Sequence, residues 1–298
     1  MIKISNDKQE KNKKVSSLVR KRLNIDESLA DEITFKIAQS HDELEQAYRL
    51  VHDVYEEEGY TDINPSGMRV NAFNAHPETV VFIAVKEGKV IMTLTLVTDS
   101  PFGLPMDDLY LKELSPFRRA HRHIGQLSSL ASLAQYRCAN QTLPLFLIKI
   151  MGRYARDHMR LDDLVITVNP KHGLFYESLL LFKKIGGLKA CQEVKNHPAY
   201  AYLLELEYLP ETYKRIYAGQ PPEKNLHHFF YIKQHANIHL PEDNIPLYIW
   251  SNDKLNHFFS KKTNLFYQID EVHLSYVLRR HASYWRTDTA SMKMIQHA

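Results

Sequence analysis

The sequence is poor in cysteine and has no long apolar run. Its two cysteines, Cys138 and Cys191, can form no disulfide framework, and neither has the neighbours of a metal-binding motif. A reduced, cytoplasmic compartment is therefore the default expectation. No stretch of 18 apolar residues predicts a transmembrane helix. The first 22 residues are polar and basic, and they lack the apolar segment of a secretory signal.

Glycine is also scarce, with 10 in 298 residues, and charge of either sign is moderate. The formal net charge is +3, which is too weakly basic to indicate a nucleic-acid-binding protein. Hydrophobic residues make up 44% of the chain, and this fraction is ordinary for a soluble protein with a sizeable core.

Changes in composition and hydrophobic pattern along the chain predict three regions. Residues 1–30 form a charged N-terminal arm, residues 31–210 carry the pattern of a folded domain, and residues 211–298 are an aromatic, His-rich and mainly helical C-terminal extension. In the central region the hydrophobic periods predict the order β-α-β-β-β-α-β-α-β, a mixed sheet with helices on both faces. Ser40 and Glu43 have the spacing of a capping box at the start of the first helix.

The stretch VITVNPKHGLFYESLLLFKKIGG, residues 165–187, combines a buried strand, a turn and an amphipathic pattern. The pattern predicts a helix that ends only at the Gly-Gly pair. Asn169 ends the strand, His172 follows three residues later, and Tyr176 follows seven residues later. A turn between a strand and a helix does not need these polar side chains, so they are candidates for a functional site.

This segment and the order of elements resemble the GNAT-type N-acyltransferases. Three further segments, residues 48–60, 102–110 and 194–207, resemble one branch, the long-chain N-acyl amino acid synthase family, which is related to the acyl-homoserine-lactone (autoinducer) synthases. The resemblance covers residues 33–208. It implies an α+β fold with a mixed, mostly antiparallel sheet that is splayed between strands 4 and 5.

The resemblance also implies a reaction. The amine of an amino acid attacks a long-chain acyl thioester, an amide forms, and a thiol leaves. The donor is an acyl-phosphopantetheine thioester, carried by acyl carrier protein or by CoA, and no tightly bound cofactor or metal is expected. Acyl carrier protein is thus the expected protein partner, and nucleic acid is not one.

The reaction needs a neutral amine, donors for an oxyanion and an acid for the leaving thiolate. We assign Tyr176 as the acid and His172 as a base or a carboxylate ligand, while packing and helix capping are their structural alternatives. Asn169 either holds the turn or binds the pantetheine arm. The backbone N–H groups near the end of the fourth strand are candidate oxyanion donors: Ser132, Leu133 and Ala134.

Two departures from the related families bear on the mechanism. Relatives carry Glu-x-Ser-Arg on the fourth strand, where this chain has Gln126 and Ser129, and a carboxamide cannot serve as a base. Acetyl-CoA enzymes carry a glycine-rich pyrophosphate loop, whereas the loop here has no glycine and offers Arg137 for one phosphate. This difference favours a carrier-bound donor.

Other residues remain open between a functional and a structural role. Arg49, off the buried face of the first helix, is a candidate ligand for donor or substrate, with solvated surface as the alternative. Three arginines of the segment FRRAHRH are candidates for a surface that binds carrier protein: Arg118, Arg119 and Arg122. Four apolar residues line an acyl tunnel or simply fill the core: Leu145, Phe146, Ile148 and Leu174.

Three functions remain open from the sequence. The first is an N-acyl amino acid synthase, the second an autoinducer-type synthase that uses S-adenosylmethionine, and the third a non-catalytic relative that binds acyl chains or carrier protein. The extension 211–298 fits a lid, a dimer arm or a peripheral contact with the inner membrane surface. The acyl chain length, the amino acid and the oligomeric state are not predicted.

Overall fold

The computed structural model describes residues 14–137, 142–240 and 250–282. The strands are β1 (Thr34–Ile37), β2 (Val80–Lys86), β3 (Lys89–Thr98), β4 (Ile124–Ser132), β5 (Asp163–Val168), β6 (Lys183–Lys184), β7 (Lys189–Cys191), β8 (His197–Glu205) and β9 (Ile238–His239). The helices are α1 (14–22), α2 (His41–Glu57), α3 (Asp107–Arg119), α4 (Ala134–Arg137), α5 (Thr142–Arg153), α6 (Gly173–Ser178), α7 (Leu209–Ile216), α8 (Asn252–Leu255) and α9 (271–282).

These strands form one mixed sheet in the order β6-β8-β5-β4-β3-β2-β1-β9, with β7 paired to β8. The predicted α+β fold is confirmed. Local signals explain its regular parts: the capping box of Ser40 and Glu43 starts α2, and Gly88, with φ of +75°, closes the β2–β3 hairpin.

Helices α2 and α5 lie on opposite faces of this sheet. The Phe35 ring of β1 stacks on Phe146 of α5, with 4.7 Å between the ring centroids. The next residue, Lys36, forms an ion pair of 2.5 Å with Glu43 of α2. Successive side chains of a strand point to opposite faces, so the two helices cover the sheet from both sides.

The sheet opens between β4 and β5. These strands pair in parallel only from Ile124 to Leu127 of β4. Beyond Leu127, β4 pairs only with β3, and β5 pairs only with β8. A β-bulge in β4 explains the parting, because Ala131 and Ser128 pair with Thr93 and Thr95, and two residues face one between them. Ser129 in the bulge has a φ of +55°, a conformation that costs energy for a residue with a side chain.

The segment after Asn169 corrects one sequence prediction. A 3₁₀ turn and the short α6 replace the long helix, and α6 ends at Ser178. Leu181 has a φ of +64°, and β6 then pairs with β8. The apolar spacing that predicted a helix also fits this extended segment, because its side chains are buried by the sheet and by α7.

The described parts of both flanking regions pack against the same core as the central region. Leu23 and Ile25 near the N-terminus are buried there, as are Phe229 and Phe258 of the extension. Strand β9 pairs in parallel with β1 and extends the sheet. The division into an N-terminal arm, a central domain and a C-terminal extension remains a prediction from the sequence. No helix in the described parts of the chain is long and apolar enough to cross a membrane.

Candidate active site

A cavity of about 760 Å³ passes through the opening between β4 and β5. Its lining includes Tyr55 of α2 and Ile148 of α5, which lie on opposite faces of the sheet. The cavity therefore crosses the sheet, and its volume falls in the range of roughly 300–1,000 Å³ that small-molecule sites occupy. We call its two ends the α2-side mouth and the α5-side chamber.

The α2-side mouth is polar. Side chains from α2, from the loop that follows it and from the segment before β8 meet there: Tyr55, Tyr60, Arg69, Asn71, Asn74, Glu193 and His197. The α5-side chamber is mainly apolar, and its aliphatic and aromatic lining residues are Ile148, Met151, Leu164, Leu204, Leu206, Leu209, Tyr213, Phe230 and Tyr231. Three basic residues of α5 and of the turn after it also line the cavity: Lys149, Arg153 and Arg156.

The end of β5 brings three predicted residues to the opening. The Asn169 side chain accepts a hydrogen bond of 3.1 Å from the Lys171 amide, so it holds the turn. A Cβ at Gly173 would lie 2.6 Å from the Tyr202 hydroxyl oxygen, so a side chain at this position would require Tyr202 or α6 to shift. Asn169, His172 and Tyr176 all line the cavity.

His172 and Tyr176 differ in the proton each holds at neutral pH. Partial burial, together with the charge of Lys171, holds the pKa of His172 below its usual range, so its imidazole is neutral. Burial raises the pKa of Tyr176, so its phenol keeps its proton. No hydrogen bond joins the Tyr176 hydroxyl to another of the residues that the structure describes.

Gln126 lines the cavity and is only 3% exposed. Its side-chain oxygen accepts a hydrogen bond of 2.9 Å from the Met106 amide, directly before α3. The carboxamide therefore fixes the start of α3 against β4. An ionised glutamate could accept the same hydrogen bond. The contact with Met106 is therefore compatible with an amide at this position but does not require one.

Arg137 joins the far end of β4 to α2. Its Nε donates to the Ser132 carbonyl at 2.8 Å, and its Nη2 lies 2.5 Å from a carboxylate oxygen of Glu57. Both Ser132 and Arg137 line the cavity, whereas Leu133 and Ala134 do not. The Leu133 amide donates to the Ile91 carbonyl at 3.0 Å, so it is engaged within the sheet.

Several predicted residues are not brought to the cavity. Arg49 is held by Glu45 and by the Ser66 carbonyl. Arg118 and Arg122 form ion pairs with aspartates, and only Arg119 of that group is exposed. Arg118, Arg119 and Arg122 precede β4, whereas β4 and β5 part only beyond Leu127, and none of the three arginines lines the cavity.

Of the four residues predicted to line an acyl tunnel or fill the core, one lines the chamber. Ile148 lines the chamber. Leu145 and Phe146 are buried in the core, and Leu174 is 46% exposed. Of the cysteines, Cys191 is free and lines the cavity, and Cys138 lies outside the described residues.

Arg69, which sequence reasoning missed, is the basic residue of the mouth. Its guanidinium lies over the Tyr55 ring, 4.8 Å from the centroid, and Nη2 donates to the Glu193 carbonyl at 2.8 Å. Among the described residues that carbonyl is its hydrogen-bond partner, so most of its N–H donors remain for a ligand. Arg69 lies in the loop between α2 and β2, and no sequence motif marks its position.

The family comparison gives this arrangement its context. Residues 46–205 match the family model described as N-acyl amino acid synthase FeeM. The chain belongs to this family. The match spans more than half of the chain and includes Arg69, Gln126, Asn169, His172 and Tyr176. The protein is thus an N-acyltransferase, and the resemblance on which the sequence analysis relied is confirmed.

One solved structure agrees with this assignment. The chain is similar to FeeM, an N-acyl amino acid synthase from uncultured soil microbes, with 28% identity and a TM-score of 0.54, covering 60% of this chain and 93% of that one. Lower similarity is found to a CoA-dependent acyl-homoserine lactone synthase, BjaI, with 17% identity, a TM-score of 0.47 and coverage of 62% and 89%. No curated protein sequence matches the chain.

Proposed function

We propose that this member of the synthase family transfers a long-chain acyl group from a phosphopantetheine thioester to the amine of an amino acid. The observation that carries the proposal is the cavity through the sheet, which has a polar mouth on one face and an apolar chamber on the other. An N-acyl amino acid has the same division, with a charged head and an apolar tail joined by one amide.

The polarity of each end of the cavity indicates which substrate binds there. Moving apolar surface from water into the chamber is favourable by about 25 cal/mol per Å², so the acyl chain lies on the α5 side. The amino acid lies in the mouth, where the Arg69 guanidinium pairs with its carboxylate. The reacting carbonyl then sits in the gap between β4 and β5, beside the Ser129 bulge.

The bond changes follow from this placement. The amine nitrogen attacks the thioester carbon, and the oxyanion accepts hydrogen bonds from backbone N–H groups that the bulge leaves unpaired. The neutral His172 takes the proton of the amine, directly or through water. The carbon–sulfur bond breaks, and the thiolate accepts a hydrogen bond from Tyr176.

Tyr176 acts as a hydrogen-bond donor rather than a full acid in this scheme. A thiol has a pKa of about 8.5 and a phenol one of about 10, and burial raises the pKa of Tyr176 further. Complete proton transfer to the sulfur would therefore be uphill. Stabilisation of the developing thiolate by a protonated phenol needs no such transfer.

We propose acyl carrier protein as the donor's carrier, docked at the edge formed by Arg137 and the end of β4. That edge lies beside the opening, and its loop offers Arg137 for the single phosphate of a phosphopantetheine arm. The exposed Arg119 precedes the other end of β4, where β4 and β5 are paired, so it is not part of this edge.

Mass spectrometry of products tests the proposal. The purified protein is incubated with an acyl-carrier-protein thioester, and in parallel with the matching acyl-CoA, together with a mixture of amino acids. An N-acyl amino acid, formed faster from the carrier-bound donor, is the expected product. Formation of acyl-homoserine lactone from S-adenosylmethionine, or hydrolysis of the thioester alone, would contradict the proposal.

A further inference from the structure

The far wall of the α5-side chamber comes from outside the family region. The family match ends at residue 205, and five residues beyond it line the chamber: Leu206, Leu209, Tyr213, Phe230 and Tyr231. We propose that Phe230 and Tyr231 form the floor of this chamber and set the length of the acyl chain that the enzyme transfers. The inference rests on the proposed function, because it assigns the chamber to the acyl chain.

The floor is a group of interlocked rings. Tyr213 of α7 meets Phe230 edge to face at 5.4 Å between centroids, and its ring lies 5.9 Å from that of Tyr231. The Tyr213 hydroxyl donates to the Leu179 carbonyl at 2.8 Å, which fixes this ring to the end of α6. Aromatic rings held in this way form a wall rather than an adaptable surface.

A buried lysine fixes the segment that carries the floor. Lys149 of α5 is 3% exposed, and its ammonium donates to the carbonyls of Phe229 and Lys233 at 2.5 and 2.7 Å. It also lies 2.8 Å from Nδ1 of His235. These contacts hold residues 229–235 against α5, because the ammonium would lose its hydrogen bonds if the segment moved away.

A second, smaller cavity of about 180 Å³ lies behind the floor. Phe230 and Tyr231 line both cavities, as do Lys149, Arg153 and Arg156, so these side chains together separate the two spaces. The two rings are the apolar part of the smaller cavity's lining, which is completed by Asp157, Lys233 and Gln234. An apolar chain end gains nothing by entering such a space, so the rings mark the natural end of the acyl site.

The length of the transferred chain is the direct test. Products are compared for the wild-type enzyme and for Phe230→Leu and Phe230→Ala, with a mixture of acyl thioesters of increasing length and one amino acid. Shortening the side chain at the floor should move the preferred chain to greater length by at least one two-carbon step. Leu209→Phe fills the chamber and should move the preference to shorter chains.

The neighbouring residue supplies the matched control. Phe229 is buried in the same helical turn but does not line the cavity, so Phe229→Leu loosens the segment without lengthening the chamber. An equal shift in Phe229→Leu, or an unchanged preference in folded Phe230→Leu and Leu209→Phe, would overturn the inference. If Phe230→Ala fails to fold, the other two variants decide. A wild-type enzyme that makes no N-acyl amino acid would instead overturn the proposed function.

Discussion

The two ends of the cavity differ in chemistry and in origin. The α2-side mouth is polar and is built entirely from the family region 46–205, with Arg69 as its cation. The α5-side chamber is apolar, and its far wall comes from the extension. Under the proposed function, elements shared with the family carry the reaction and bind the amine, and a segment outside the family match sets the fit of the acyl chain.

We expect the largest effect on kcat/KM from a change at Tyr176, where the mouth and the chamber meet. Tyr176→Phe removes the phenol that stabilises the thiolate and leaves the ring in place. By analogy with loss of one oxyanion donor, kcat/KM should fall by about 10²–10³-fold. Steady-state kinetics with both substrates measures it. Tyr200→Phe, which changes a tyrosine outside the cavity, is the control, and equal rates in the two variants would exclude Tyr176 from the mechanism.

The next effect separates the mouth from the chamber. Arg69→Met should raise KM for the amino acid by about 10–150-fold, because a hydrogen bond to a charged group contributes about 1.5–3 kcal/mol. KM for the acyl donor should change little. Arg49→Met removes a guanidinium held by Glu45 outside the cavity. A similar rise for Arg49→Met, or a rise mainly for the donor, would remove Arg69 from the amine site.

A smaller effect concerns the proton of the amine. The pKa of His172 lies below its usual range, so kcat/KM should stay high as pH falls until His172 is protonated below about 6.5. In His172→Gln this acid limb should move up toward the pKa of the amine. The rate at pH 7 should fall by at least about tenfold, since an α-amine with a pKa of about 8 or above is at most about one-tenth neutral there.

The pH profile of His123→Gln, an exposed histidine before β4, is the control for His172→Gln. This control should keep the wild-type limb. An unshifted limb in His172→Gln would mean that another group or the free-amine fraction takes the proton.

The smallest expected effect is on the free energy of unfolding, through the contacts that hold residues 229–235 against α5. Lys149→Met leaves buried carbonyls without their donor, and the free energy of unfolding should fall by about 1–3 kcal/mol. Lys214→Met, on the exposed side of α7, should stay within about 0.5 kcal/mol of the wild type. Chemical denaturation measures both, and equal stabilities would show that Lys149 does not hold the segment.

Sequence reasoning succeeded where the signal is local. The capping box at Ser40 and the hairpin at Gly88 are set by neighbouring residues, so both were predicted correctly. The spacing of Asn169, His172 and Tyr176 also identified side chains that line the cavity. Their catalytic roles remain proposals, since lining a cavity does not by itself assign a role.

Other features depend on distant parts of the chain. Arg69 meets Glu193 across 124 residues, and Lys149 meets Lys233 across 84. Nothing near Arg69 or Phe230 in the sequence indicates a shared cavity. The early end of α6 has the same cause, because the pairing of β6 with β8 overrides an apolar pattern that also fits a helix.

The decisive measurement is a structure of the enzyme with an N-acyl amino acid bound. We expect the product carboxylate to contact the Arg69 guanidinium, the amide to lie in the gap between β4 and β5, and the acyl tail to cross the sheet and end at Phe230 and Tyr231. A product that lies on one face of the sheet, with its tail outside the α5-side chamber, would contradict this expectation.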